Sequence, residues 1–399
     1  MVLLLSLIGF YLTCYVLYHY VLIFCHFLLK DTNQAPPSGT TRFGILVPAH
    51  NEEILLSRLL RSIDEQNYQR GKYHCIVVAD NCTDNTANIG LRHSATVLTR
   101  KDPVHRGKGY ALQWGLSQIN LNDYDAIFVV DADSEISREA LAQLDRLLNQ
   151  GESMIQCYNG VANPDDSWFS RLLDVSRSFV NEICLPAKQK LGLSVYLMGN
   201  GMCFSTRILS RYGWSAFTVG EDWEYYARLI QDGEKVGFGR MARVYHQESV
   251  SLGQATSQRM RWSSGRFFVA GKYGFLLFLE GIREGNFMKL DASLPLLFPN
   301  LSLGMNLTVF SFVLAFAALH EGLPRSILLA LLGTLTFMQL MMFLSGILFT
   351  NNKLMKALSI FLAPLFLFWK LGIDLVSLAG FGRGEWTRTE RKHPGSLRR

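Results

Sequence analysis

The chain has 399 residues, of which 49% are apolar and 18% charged, with a formal net charge of +6. This composition excludes a disordered or collagen-like chain and is too apolar for an ordinary soluble enzyme. The charge excludes a nucleic-acid surface once it is placed: residues 30–290 hold 29 basic and 28 acidic side chains, 291–382 hold 4 and 3, and the last 17 hold 6 and 2.

Residues 1–29 contain no Asp, Glu, Lys or Arg and exceed the ~20 helical residues that span a bilayer core. They lack the basic start and small-residue cleavage site of a signal peptide, so an uncleaved transmembrane anchor is expected. Residues 30–41, with Pro36, Pro37 and Gly39, read as the linker out of the membrane. From residue 42 short apolar runs alternate with helical patterns. Strands are expected at 43–48, 75–80, 95–99, 126–131 and 154–158, and helices at 52–64, 85–91, 109–118 and 137–148. Runs such as Ile76-Val77-Val78 and Ile127-Phe128-Val129-Val130 are apolar on both sides, as in a sheet covered by helices on both faces. The alternation predicts an α/β, doubly wound, mostly parallel sheet, with ligands beyond the carboxyl ends of its strands.

The turn after the first strand, Pro48-Ala49-His50-Asn51-Glu52, is not GxGxxG. Arg106-Gly107-Lys108-Gly109 lacks the Walker spacing. Neither a dinucleotide fold nor a P-loop is expected. Asp80 ends the second strand, placed to accept hydrogen bonds from a base or sugar, while Thr83 and Asp84 suit a helix cap. Lys108 sits in a glycine-flanked turn before a helix, where it contacts phosphate or is an exposed loop lysine. Asp131-Ala132-Asp133 follows an apolar strand. Residues two apart project to one side of an extended chain, so both carboxylates can face one hard cation; an acidic turn reads the same way.

Gly220-Glu221-Asp222 opens a helical stretch, where a carboxylate caps the helix or serves as a general base. His246 reads as a core or surface histidine rather than a ligand. In Gln258-Arg259-Met260-Arg261-Trp262, Gln258, Arg261 and Trp262 share a helical face. They offer a guanidinium fork and a flat apolar platform, or one side of a helix resting on a membrane. Residues 267–293 read as an interfacial helix region. In 294–382 three membrane segments are expected, at 294–319, 327–350 and 354–381. Pro295 and Pro299 interrupt the first; Lys370 and Asp374 mark the last as partly interfacial. The basic tail, 383–399, belongs in the cytoplasm by the positive-inside rule. Three crossings would carry it to the side opposite a cytoplasmic domain, so the first or the last segment is expected to lie in the interface or to re-enter. The seven scattered cysteines fit a reducing compartment, without a disulfide framework or zinc ribbon.

Taken in order, these motifs resemble the membrane-bound family 2 glycosyltransferases of the GT-A fold, cellulose-synthase-like and hyaluronan-synthase-like, over residues 42–266. The resemblance implies a multi-pass enzyme of the cell (inner) membrane, its catalytic domain cytoplasmic and its sheet flanked by transmembrane and interfacial helices. It places Pro48, Ala49, Asn51 and Glu52 in the first nucleotide-binding turn, Asp80 near the base, and Lys108, Asp131 and Arg261 at the nucleotide sugar. Asp131 and Asp133 would hold Mg²⁺ or Mn²⁺. Asp222 is the expected base, with Glu221, Gln258 and Trp262 toward the acceptor and Gly199-Asn200-Gly201 bordering it. Gly220-Glu221-Asp222 departs from the Thr-Glu-Asp or Gly-Asp-Asp common in relatives, with the last aspartate kept. The short run after the last apolar segment leaves too little chain for a regulatory nucleotide-binding domain.

The implied reaction is inverting transfer of a hexosyl or N-acetylhexosaminyl group from a nucleotide-sugar donor, expected to be a UDP-sugar. The expected acceptor is a saccharide, in cell-surface or extracellular polysaccharide synthesis. The alternatives are transfer of a single sugar to a membrane lipid of ceramide or polyprenyl type, and a non-enzymatic membrane scaffold.

Overall fold

The computed structural model describes residues 1–30 and 36–381; the basic tail and residues 31–35 of the linker lie outside the described residues. Eight strands form one sheet: β1 (Phe43–Ala49), β2 (Tyr73–Asp80), β3 (Thr96–Arg100), β4 (Ala126–Val129), β5 (Ser134–Ile136), β6 (Met154–Val161), β7 (Met202–Ser205) and β8 (Gly237–His246). Their order is β3-β2-β1-β4-β7-β6-β8-β5. Pairing is parallel for β1 with β2 and β4, β2 with β3, and β6 with β8. Strand β7 runs antiparallel between β4 and β6, and β5 runs antiparallel along β8.

The sheet is therefore mixed, with the expected parallel half intact. The five expected strands are present, β4 ending at Val129. The three strands not expected from the sequence, β5, β7 and β8, make up the mixed half. β5 has three residues and β7 four, too few for a period to register.

Alternate β1 residues enter different cores. Ile45 and Val47 pack with Leu56, Leu59 and Ile63 of one covering helix, while Leu46 packs with Ala111 and Leu112 of another. A period of two with both phases apolar is the signature of a sheet covered on both faces. The chain winds outward from β1 through β2 to β3, then returns to β4 on the other side of β1. That reversal opens a crevice beyond the carboxyl ends of β1, β2 and β4.

Asp145 fixes the entry to this domain. Its carboxylate accepts the backbone N–H groups of Ser38, Gly39 and Thr41 at 2.7–3.0 Å, and the Thr41 hydroxyl at 2.6 Å. Burial works to raise its pKa, but these hydrogen bonds outweigh it and hold the carboxyl well below the usual range.

Among the described residues four helices are long and apolar enough to cross a membrane: Val2–Leu28, Leu301–Ala318, Leu323–Phe349 and Lys353–Leu378. The segment expected at 294–319 splits: Pro295 lies inside a separate helix, Phe287–Leu297, and Asn300 caps the next by accepting Leu303 N–H at 2.9 Å. Lys370 and Asp374 pair with each other, and both bond Ser263 of the Leu252–Val269 helix. Their charge is thus met by protein rather than by lipid. Near the start of the same segment Lys356 pairs with Asp174. The last apolar segment therefore touches the α/β domain at both ends. All seven cysteines are free.

Asp145→Ala should destabilise the domain by about 3 kcal/mol, the cost of orphaning several charge-assisted hydrogen bonds. Thermal unfolding in detergent should show this as a fall of roughly 5–10 °C at pH 7. Because the folded-state pKa is depressed, the contribution is present above the ordinary carboxyl value of about 4. It is lost as pH falls through the depressed one, so the gap between variant and wild type should shrink in acid.

Candidate active site

A cleft of about 1460 Å³ opens at the carboxyl ends of β1, β2 and β4, and the site residues expected from the sequence line it, Gly201 excepted. Pro48, Ala49, Asn51 and Glu52 line it from the turn after β1 and Asp80 from the end of β2. Asp131 and Asp133 come from the loop after β4, and Lys108 from the first turn of the Lys108–Ser117 helix. Glu221 and Asp222 open the Glu221–Gln231 helix, and Gln258, Arg261 and Trp262 lie on the Leu252–Val269 helix.

The first two turns are held in left-handed backbone, with φ of 55° at Asn51 and 49° at Asn81, a conformation that asparagine tolerates better than most side chains. Asn51 accepts the Thr83 N–H at 2.7 Å, and Asn81 accepts that of Asp102 at 2.8 Å. The Asn51 side chain thus stitches the β1 and β2 loops together. Asp80 is 6% exposed. Arg100 (2.6 Å) and the Asn81 amide (3.0 Å) both use its Oδ1, which leaves Oδ2 for a ligand. Burial pushes its pKa up, opposed by Arg100. Asp84 accepts the backbone N–H groups of Glu53 and Thr86, a capping role that needs no ligand.

Lys108 is the electrostatic centre of the cleft. Its ammonium donates to Asp131 and to the Gly199 carbonyl. Burial works to lower its pKa, but Asp131, Glu221 and Asp222 raise it further, so it stays charged. Gly199 has φ +78°, and a Cβ there would come within 3.2 Å of Asp222 Oδ2. Asn200 accepts Asp131 N–H at 3.0 Å and donates to Ser134 at 2.9 Å, bracing the loop that carries both aspartates.

Glu221 and Asp222 sit at a helix start, where the macrodipole favours negative charge. Burial pushes both carboxyls above their ordinary range. Asp222 adds to the effect on Glu221, the Trp223 N–H opposes it at Asp222, and Lys108 opposes it at both. Asp222 Oδ1 accepts Trp223 N–H at 2.9 Å.

The donor set of Asp131 and Asp133 suits a hard cation: two carboxylates two residues apart at one strand end. Among the described residues no group of three or more His, Cys, Asp or Glu side chains is arranged to hold a metal. The pair therefore fits a cation that takes its remaining oxygens from a bound diphosphate or water, as Mg²⁺ commonly does. His246 is buried among polar partners, at 2.9 Å from Asn159 and 3.0 Å from Glu248, the core-histidine reading.

Sequence reasoning missed Glu248. It is 2% exposed and accepts Arg259 at 2.6 Å and Arg177 at 3.0 Å. Burial works to raise its pKa, but Arg259, His246 and Arg177 outweigh it. Arg259 also lies 4.6 Å over the Trp262 ring, so Glu248 steadies the Trp262 platform. The signal available was His246-Gln247-Glu248 between a strand and the Ser251 cap. Also missed were Asn300 and Lys370, which bring apolar helices into the cleft lining.

Residues 40–265 match the model of the glycosyltransferase-like family 2. The chain belongs to that family. A probable glycosyltransferase of Bacillus subtilis, YdaM, is 25% identical over 64% of this chain and 64% of its own length. A beta-monoglucosyldiacylglycerol synthase of Nostoc is 25% identical over 56% of this chain and 48% of its own. The chain thus spans about half to two-thirds of these curated relatives. The mannosyltransferase PcManGT of Pyrobaculum calidifontis, solved with GDP-Man and Mn²⁺, superposes with a TM-score of 0.55 at 23% identity, over 86% of this chain and 97% of that one. This likeness shows the GT-A fold. The cleft thus sits on the fold that the sequence motifs imply.

With Asp222 as the base proposed below, sugar transfer should rise with pH through the raised value of the Glu221–Asp222 pair, because a base must be deprotonated to act. The acid limb of kcat should therefore lie above the ordinary carboxylate range. Lys108→Met removes the cation that lowers both groups, so the limb should move to higher pH, by about one unit. A pH–rate profile of wild type and variant checks both the limb and its displacement.

Proposed function

We propose that this glycosyltransferase moves a sugar, with inversion, from a nucleoside diphosphate sugar to the hydroxyl of a membrane lipid, with a UDP-sugar the expected donor. The observation that carries the reading is the composition of one cleft. A basic carboxylate, Asp222, and a carboxylate pair, Asp131 and Asp133, share it with Trp262 and Arg261, and Asn300 and Lys370 of two apolar helices also line it. A lipid hydroxyl entering from the membrane side meets Asp222 without leaving that surface. The name of the Nostoc relative, a synthase of a glucosylated diacylglycerol, supports the same acceptor class. Growth of a polysaccharide on the same acceptor seat is the second reading, favoured by the Gln258, Arg261 and Trp262 pattern on one helix.

Asp222 Oδ2 takes the proton of the acceptor hydroxyl as its oxygen attacks the anomeric carbon from the face opposite the departing diphosphate. Trp262 supports the acceptor from below, and Arg261 supplies a guanidinium fork to the diphosphate. Asp80 Oδ2 accepts from the base, and Lys108 holds Asp131 in place while limiting the charge that builds beside Asp222. A Mg²⁺ or Mn²⁺ ion bound by Asp131 and Asp133 would neutralise the leaving diphosphate.

We further propose that the last apolar segment, which meets the domain at Asp174 and at Ser263, lies along the membrane interface rather than crossing it. That returns the tail to the side of the catalytic domain, cytoplasmic in a cell-membrane enzyme. Cysteines engineered into the tail should resist a membrane-impermeant label applied outside.

Membranes containing the protein, given a panel of labelled sugar nucleotides, should put label into the organic extract as a single-sugar product. Label in long water-soluble chains would move the acceptor to the polysaccharide reading. Asp222→Asn should cost roughly 10²–10⁴-fold in transfer, the range for a lost general base, while nucleotide binding persists. Asp133→Ala should weaken Mn²⁺-dependent binding of UDP, measured by calorimetry with and without the metal.

A further inference from the structure

Two glycines on separate elements of the cleft touch backbone to backbone. Gly220 immediately precedes Glu221 and Asp222, and Gly265 lies three residues after Trp262 on the Leu252–Val269 helix. A Cβ on Gly265 would lie 2.6 Å from Gly220 N and 2.8 Å from its Cα; a Cβ on Gly220 would lie 2.9 Å from the Gly265 carbonyl carbon. These obstacles are main-chain atoms, so no rotamer change relieves them. The backbone of Gly220, at φ −112° and ψ 55°, is not left-handed and does not itself call for glycine. What calls for it is the close approach. Gly265 is in a helix interior, where alanine is favoured over glycine; the contact again accounts for the choice.

The helix cannot easily back away. On its other flank Ser263 bonds Asp374, and the Ser264 hydroxyl donates to the Phe381 carbonyl. The stretch 263–265 is thus gripped between the last apolar segment and the loop that carries the base. Neither glycine has a side chain to contact substrate, so any role they have is one of placement.

We propose that Gly220 and Gly265 are positioning residues that set the separation between Asp222 and the Trp262 platform, and so the depth of the acceptor seat. This inference rests on the reading of Asp222 and Trp262 given above. A methyl group at either glycine pushes the two elements apart. The acceptor hydroxyl then sits too far from Asp222 Oδ2, and water reaches the donor instead. The donor groups built on β1, β2 and β4 are untouched, and of the donor contacts only Arg261 rides on the displaced helix.

The test compares Gly265→Ala and Gly220→Ala with Gly253→Ala, a change on the same helix at a glycine with nothing within 4 Å of an added Cβ. Labelled UDP-glucose is the donor and dioleoylglycerol in mixed vesicles the acceptor. Lipid-extractable product and free glucose are counted in parallel, and UDP binding is followed by thermal shift. Wild-type product in the lipid extract comes first; without it the acceptor assignment fails, not the glycine contact, and the same comparison is run with the acceptor that the panel identifies.

With transfer established, Gly265→Ala should raise the acceptor KM at least tenfold and shift label from transfer to hydrolysis. The donor KM should stay within about twofold, with Gly253→Ala at wild-type values. If Gly265→Ala does not yield folded protein, judged by loss of a cooperative thermal unfolding transition, Gly220→Ala carries the same comparison. Wild-type acceptor KM and partition in the folded variant would overturn the proposal. So would an equal loss of donor and acceptor function, the mark of a merely structural defect.

Discussion

The cleft depends on one buried ammonium. Lys108 lies against Asp131 and the Gly199 carbonyl, with Glu221 and Asp222 close enough to raise its pKa. Three carboxylates from two separate elements would repel one another in a partly desolvated space, at a cost that grows as the local dielectric falls. One cation lets them converge. It stands at the start of a helix whose entry, Gly107 at φ +123°, is itself restricted. The cation therefore arrives from backbone rather than from a flexible loop, and the loops bearing Asp131, Gly199 and Asp222 close around it.

A second tier of interactions keeps that arrangement rigid without touching it. Asn200 braces the Asp131 loop, Asn51 and Asn81 stitch the strand-end turns, and Glu248 gathers Arg177, Arg259 and His246 beneath the Trp262 helix. Buried charge is costly unless it is matched, and here each burial is matched across elements far apart in sequence. The polar interior thus acts as a set of registration pins between the sheet and the helices that follow it.

The parallel half of the fold was legible in the sequence because β1, β2 and β4 are continuously apolar and end in polar clusters. Asp80, Asp131 and Asp133 stood out for the same reason, each following a buried strand at the end where ligands bind. Asp222, Gln258, Arg261 and Trp262 were legible as a family pattern rather than from periodicity. The rest was hidden for physical reasons. Strands β5 and β7 are too short for a period to show, and Glu248 gains its meaning from partners 71 positions upstream and 11 downstream. Lys370 and Asp374 looked like a lipid-facing liability because the sequence does not say that Ser263 lies opposite. Nothing in the spacing pairs Gly220 with Gly265.

The first apolar helix is tied to the catalytic domain by more than its linker. Lys190 donates to the His26 and Leu29 carbonyls at 2.9 and 2.8 Å, and Tyr18 donates to Asp291, which pairs with Lys188 at 2.9 Å. With that helix in a bilayer, the domain has little freedom to tilt, and the cleft keeps a fixed height above the lipid. With the lipid acceptor proposed above, such an enzyme meets its acceptor as a surface density, not as a bulk concentration. Diluting the suspension leaves the encounter rate unchanged, while spreading the acceptor among inert lipid slows it, so the composition of the membrane becomes the quantity that sets its rate.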